Sequence, residues 1–189
     1  MIKDFNKIIE YGVTLDKLKR SNLELVRCWR NSPAVSNNMI YQEYITTEMQ
    51  HKWFDHVNND NNFYYIASYN NCKIGVANIK DIDYQRKVGE AGLFIGNIDY
   101  QNLGLCFPIM LALYDFAFYK IGLNTTYIKV LTKNVRALRF DLKFGYEKCS
   151  TNEQDLDNNS VIKYFLKRNS YEVSTFAMKK IFNKLSHKY

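Results

Sequence analysis

The twenty-residue run Gly104 to Leu123, GLCFPIMLALYDFAFYKIGL, constrains this chain more than any other stretch. It is apolar enough to suggest a membrane span. Asp115 and Lys120 interrupt it, however, and no second such run follows. At a bilayer centre each of those charges costs roughly 2.5–3.5 kcal/mol. The run therefore reads as a helix buried in a globular core, and no membrane span is expected.

The flanking sequence supplies the cover such a helix needs. Ile8 to Val13 reads as a first strand. Leu23 to Arg30 reads as a helix, closed by Asn31-Ser32-Pro33. A second helix runs from about Glu48 to Val57, with Thr47 and Gln50 as a capping-box pair. Phe63 to Tyr69 and Lys73 to Ile79 are β-rich and joined by Asn70-Asn71-Cys72, a hairpin signal. Gly89 to Gly96 is another strand, placed before the apolar helix. After it come a strand (Thr126 to Leu131), a short helix (Val135 to Phe144) and a final strand pair (Tyr146 to Ser150, Val161 to Leu166). A polar, acidic loop is expected around Asn152 to Asn159. The tail from Tyr171 reads as a last helix with Val173, Ala177, Ile181 and Leu185 on its packed side. The expected order is β-α-α-β-β-β-α-β-α-β-β, an α/β fold with a mixed sheet. One domain fits the 189 residues, with a core over about 8–166 and a helical tail over about 170–187.

Composition removes several function classes. Cys28, Cys72, Cys106 and Cys149 form no CxxC pair and only three histidines are present, so neither a disulfide framework nor a metal site is expected. A reducing cytoplasm is the natural compartment. Met1 to Glu10 alternates charge with apolar residues, unlike a signal peptide. The net charge of +7 is scattered, apart from Lys179, Lys180, Lys184 and Lys188, which read as a solvated helix face. No nucleic-acid partner is expected, and anionic substrates would account for the bias. Fifteen tyrosines against twelve phenylalanines point to a tyrosine-lined cleft.

Two motifs carry chemistry. Gln101-Asn102-Leu103-Gly104-Leu105-Cys106 lies between a strand and the apolar helix. A glycine there lets backbone approach a ligand, and the first helical amides form an anion site suited to a pyrophosphate. Pro108 falls in the first turn, where a missing amide costs no hydrogen bond. About thirty residues later, Asn134 is placed to cap a helix that ends at Gly145. Asn134, Ala137 or Leu138, and Asp141 share a face of that helix, and small Ala137 leaves room for a thin ligand.

Gln101-x-x-Gly104-x-Cys106 resembles the Q/R-x-x-G-x-G/A loop of GNAT acetyltransferases. Asn134-x-x-Ala137-x-x-Phe140-Asp141-x-x-x-Gly145-Tyr146 is similar to that superfamily's N-x-x-A-x-x-[FL]-Y-x-x-x-G-[FY] element. The resemblance covers the chain from the first strand to about residue 166. It implies the GNAT fold with an extra C-terminal helix, acetyl-CoA as co-substrate, no metal, and direct attack by a primary amine. It also implies that Gln101, Asn102, Leu103, Gly104, Leu105, Cys106, Asn134, Ala137 and Phe140 bind the cofactor. Backbone of Leu93, Phe94 and Ile95 would hold pantetheine like an added strand. Trp29-Arg30-Asn31-Ser32-Pro33, with Met39, Tyr41, Ile45, His51, Trp53 and Phe54, resembles the opening of the PseH family, N-acetyltransferases of pseudaminic acid synthesis. Those enzymes acetylate a UDP-linked 4-amino-4,6-dideoxy sugar. The likeness places Arg30, Met39, Tyr41, His51 and Phe54 near the sugar nucleotide, although Trp29, Met39 and Phe54 also suit a core. RimJ/RimL-type acetyltransferases share a related opening.

The chain departs from the family where the usual Tyr is Asp141, and at Cys106, the third glycine position. An ordinary Asp titrates near 3.9, so Asp141 is expected to be an ionised bystander unless burial keeps it a neutral acid. Glu90 is a candidate base and His51 the runner-up. Three functions follow. They are acetyl transfer to a nucleotide-linked amino sugar, Nα-acetylation of a protein or peptide, and a non-catalytic CoA-binding module. Aminoglycosides and polyamines are further acceptors, and a homodimer is compatible with the resemblance.

Overall fold

Eight strands form one mixed sheet in the order β1-β2-β3-β4-β5-β6-β8-β7, flanked by helices on both faces and ending in a C-terminal helix. The strands are β1 (Lys7–Glu10), β2 (Val13–Lys17), β3 (Phe63–Tyr69), β4 (Cys72–Asp83), β5 (Val88–Ile95), β6 (Thr125–Leu131), β7 (Glu147–Leu156) and β8 (Asn159–Lys167). The helices are α1 (Leu23–Asn31), α2 (Pro33–Ser36), α3 (Thr47–Val57), α4 (Cys106–Asp115), α5 (Val135–Leu142) and α6 (Arg168–Ser186). This computed structural model describes residues 5–156 and 159–186.

The apolar run does form the buried helix. Ile109 to Tyr114 of α4 are buried, and the helix continues through a π-helical stretch, Phe116–Ile121, to a left-handed Gly122. Its charged Asp115 is satisfied three ways, by the Tyr11 hydroxyl at 2.5 Å, the Tyr171 hydroxyl at 2.8 Å and Lys179 Nζ at 2.5 Å. None of the described helices is long and apolar enough to cross a membrane. Leu18, Leu23, Val26, Phe54, Ile66 and Val76 form a second cluster, which seats α1 and α3 on the opposite face of the sheet.

Several boundaries differ from the sequence reading, each for a local reason. The expected first strand is two strands, turned back at Tyr11 (φ 54°) and Gly12 (φ 76°). A tyrosine resists that conformation, and its bond to Asp115 holds it there. Asn70 and Asn71 are both left-handed and make the β3–β4 turn, as their type favours. The α3 cap is Thr46, whose Oγ1 accepts from the Met49 amide at 3.2 Å, one residue before the expected Thr47. The described part of the expected Asn152 to Asn159 loop is strand, because β7 runs on to Leu156.

The tail helix begins at Arg168 and packs through a different face. Tyr171 and Thr175 are fully buried, with Met178 and Phe182 following at helical spacing, whereas Val173 is 81% exposed and Ala177 and Ile181 point outward. Hydroxyl-bearing Tyr171 and Thr175 hid that face from an apolar-period reading, because their hydroxyls are satisfied inside. The side chain of Leu185 and residue Lys188 lie outside the described residues.

Candidate active site

The site exists because two neighbouring strands part company. β5 and β6 run parallel but pair only at Val88–Thr125, Gly89–Thr126 and Glu90–Tyr127. Beyond Glu90 they splay, leaving the β6-facing backbone of Ala91 to Ile95 outside the ladder. Such a strand edge can take an extended ligand by main-chain hydrogen bonds. The gap opens into a cleft of about 1000 Å³ running from α1 and α2 to α5.

At one end, the Gln101–Cys106 turn meets α4 and α5. Gln101 Nε2 donates to the Ile95 carbonyl at 3.1 Å, tying the turn to β5. Arg136 donates to the Gln101 carbonyl at 2.8 Å, tying it to α5. Gly104 is left-handed (φ 73°), and a Cβ built there would meet nothing within 4 Å. This turn therefore presents backbone to open space, next to the unsatisfied amides at a helix start. Asn134 caps α5 as expected, accepting from the Ala137 amide at 3.1 Å. Arg136, Arg139 and Lys143, on one side of α5, add three cations to the cleft lining. Open backbone, helix start and cations together fit the pyrophosphate of acetyl-CoA.

Asp141 lies in the cleft wall with 9% of its surface exposed. Burial raises its pKa from the ordinary 3.8 to about 7. It forms no ion pair among the described residues, so nothing offsets desolvation. Of the two expectations for Asp141, this burial favours the buried acid over the ionised bystander. Cys106 lines the same cleft, and burial pushes its thiol up, away from a thiolate nucleophile.

At the other end, Glu90 is 8% exposed and lies between two lysines. Lys80 Nζ is 3.1 Å from Oε1, and Lys129 Nζ is 3.1 Å from Oε2. Both contacts are ion pairs, and buried Oε2 makes no hydrogen bond among the described residues. Arg30 reaches in from α1. One terminal nitrogen donates to the Tyr41 carbonyl at 3.2 Å, while its Nε is buried without a partner. Burial also lowers its pKa, and among the described residues it has no counter-ion.

Of the sequence candidates, the cleft brings together Arg30, Met39, Tyr41, Glu90, Leu93, Phe94, Ile95, Gln101, Gly104, Cys106, Asn134, Ala137, Phe140 and Asp141. Four lie elsewhere. His51 is exposed on α3 and outside the cleft. Phe54 is a core residue of the α1–α3 cluster, since its helix turns that face to the sheet. Asn102 and Leu103 are exposed on the outer side of the turn, and Leu105 packs into the core. The sequence reading missed Asn78, Lys80, Lys129, Arg136, Arg139 and Lys143, all of which line the cleft. The i, i+3, i+7 spacing of Arg136, Arg139 and Lys143 is a usable signal. The other three depend on cross-strand register, which the sequence does not display.

Comparison with known proteins fits this geometry. Residues 13–147 match a family model described as an acetyltransferase (GNAT) domain. No curated protein matches the chain. Among solved structures, a spermidine N-acetyltransferase from Vibrio cholerae in complex with CoA and spermine superposes with a TM-score of 0.77 at 17% identity, covering 85% of this chain and 98% of that one. An uncharacterized protein from Bacillus halodurans gives 0.78 at 15% identity, covering 93% and 96%. A dodecameric form of the Vibrio cholerae enzyme gives 0.69 at 17% identity, covering 85% and 96%. At such identities the likeness is one of fold. Among the described residues, no group of three His, Cys, Asp or Glu is placed to hold a metal.

Proposed function

The chain belongs to the GNAT acetyltransferase family and is an acetyl-CoA-dependent N-acetyltransferase, and on that footing we propose that its acceptor is an anionic, nucleotide-linked amino sugar. The observation that carries this reading is the charge of the cleft. Apart from the α5 cations, which serve the cofactor's pyrophosphate, Arg30, Lys80 and Lys129 face a single carboxylate, Glu90, at the acceptor end. Glu90 is paired with both lysines, so the acceptor end keeps a net positive charge. A polycation such as the spermine bound by the Vibrio cholerae enzyme would meet like charge, whereas a diphosphate would be drawn in. The same balance disfavours a peptide groove, which needs acidic residues for a free amino terminus.

Each cleft residue then has a distinct task. The Gly104 turn and the α5 cations hold pyrophosphate, and the free edge of β5 holds the pantetheine arm. Arg30 takes an acceptor phosphate, and Tyr41, with Met39 beside it, offers a face to the base. Glu90 Oε2 accepts the N–H of the amine, orients its lone pair toward the thioester carbon and passes the proton to water. As the carbon–sulfur bond breaks, Asp141 donates its proton to the sulfur. An acid of about 7 is stronger than a thiol of about 8.5, so that transfer is favourable. These tasks need one domain over about 8–166, with α6 as an extension.

Arg30→Ala tests the acceptor assignment. It should raise KM for a UDP-linked amino sugar by at least tenfold while acetyl-CoA affinity stays within twofold. Initial-rate kinetics check this, and a wild-type KM would remove Arg30 from the acceptor site.

A further inference from the structure

Asn78 lies on β4 opposite Gly92 of β5, two residues from the Lys80–Glu90 pair, so all four side-chain positions face the same side of the sheet. Gly92 is what lets the Asn78 side chain lie across β5. A Cβ at position 92 would fall 2.8 Å from Asn78 Oδ1 and 3.2 Å from Nδ2. Asn78 Nδ2 is buried and has no hydrogen-bond partner, although the residue lines the cleft. Only three buried side-chain atoms among the described residues share that condition, and all three belong to this one cleft: Arg30 Nε, Asn78 Nδ2 and Glu90 Oε2.

Orphaned buried polar groups are rare, and each is costly unless something meets it. Two of these are donors and one is an acceptor. Glu90 Oε2 already has the Lys129 ammonium 3.1 Å away, so the wholly unmet groups are the donors Arg30 Nε and Asn78 Nδ2, and a ligand that meets them must carry oxygen. A linear polyamine offers only N–H groups and leaves both donors unmet. From this complementarity, and building on the acceptor class proposed above, we infer that Asn78 is a specificity-determining residue. It donates Nδ2–H to an oxygen of the acceptor near the reacting amine, and so selects an oxygen-bearing amine over an alkyl amine. A site built around such a bond rejects a substrate lacking the oxygen far more strongly than an apolar pocket rejects a missing methylene.

The test compares wild type with Asn78→Ala, Asn78→Asp and Asn78→Ser, on a UDP-linked 4-amino-4,6-dideoxy sugar and on spermidine. Acetyl-CoA affinity, measured by calorimetry, reports an intact fold. Asn78→Ala should raise KM for the sugar nucleotide roughly 10- to 100-fold with acetyl-CoA affinity unchanged. Asn78→Asp, the same size but an acceptor, should lose more on the sugar and gain turnover of spermidine. Asn78→Ser keeps a donor and should stay within a few-fold of wild type. Wild-type KM values for the sugar nucleotide in Ala and Asp variants that still bind acetyl-CoA would overturn the inference and leave the proposed acceptor class standing. A wild-type protein that acetylates spermidine and no sugar nucleotide would overturn both. Loss of acetyl-CoA binding in all three variants would make Asn78 structural and also overturn the inference.

Discussion

Asp141→Asn should lower kcat by roughly 10²- to 10⁴-fold while acetyl-CoA binds as before. The substitution keeps the shape of a side chain set in the cleft wall and removes its proton. The pH–rate profile supplies a second readout. A general acid with a pKa of about 7 loses activity as pH rises through that value, and this alkaline limb should vanish in the variant. Stability moves the other way. Because the folded carboxyl titrates at about 7 against an ordinary 3.8, the unfolded chain releases the proton first. Wild-type stability therefore falls as pH rises from about 4 to about 7 and is level above that. The full cost corresponds to at most about 4 kcal/mol, and Asp141→Asn should recover part of it at pH 8. A variant both slower and more stable at pH 8 fits a buried acid kept for chemistry. Unchanged kcat would return Asp141 to the role of bystander.

Gly104→Val should weaken acetyl-CoA at least tenfold. Its φ of 73° is costly for a side chain branched at Cβ, so the turn must leave the conformation that aims its backbone outward. A tenfold weaker complex loses about 1.4 kcal/mol of ligand-linked stabilisation, readable as a smaller rise in Tm on adding CoA. Gly104→Asn separates backbone from access. Asparagine tolerates the left-handed region but puts a side chain into the open space over the turn, and it too should weaken binding. Wild-type CoA affinity in both variants would show that the turn does not hold the pyrophosphate.

The proposed cofactor half of this site was legible in the sequence where it is built from local segments, although Asn102, Leu103 and Leu105 of the same turn lie outside the cleft. Gly104 before α4 and Asn134 before α5 are each a strand-to-helix junction with its own signature, and each sits where that signature implies. The acceptor half was legible only where a motif carried it. Arg30 was recognised within Trp29-Arg30-Asn31-Ser32-Pro33, and its side chain does reach the cleft. Phe54 in the same region turned to the core and His51 to solvent, since helix phase was set by packing that a list of residues does not contain. Glu90 illustrates a different limit. Its strand was clear, but its two lysines come from β4 and β6, and only the register of three strands brings them to one carboxylate. Which of the two expectations for Asp141 applies could not be read from the sequence for the same reason, because its protonation depends on burial by residues distant in sequence.

The α6 face makes the point from the opposite side. Val173, Ala177 and Ile181 have a helical apolar period and still face outward, while Tyr171 and Thr175 are buried. Tyr171 bonds to Asp115 and Thr175 to the Tyr171 carbonyl, so their polar atoms carry no burial penalty. Periodicity measures hydrophobicity, whereas burial here follows hydrogen-bond satisfaction.

We propose that this family N-acetyltransferase, with its cationic cleft, acts on an anionic amine. The most direct test of that proposal is CoA-thiol release by the purified protein from acetyl-CoA, with UDP- and dTDP-linked amino sugars, spermidine and an N-terminal peptide as parallel acceptors. Acceptor-dependent release with a nucleotide-linked amino sugar, at a kcat/KM at least 10²-fold above that for spermidine, is the result predicted here from the charge of the cleft. Turnover of spermidine or the peptide with none for any nucleotide-linked amino sugar would contradict it.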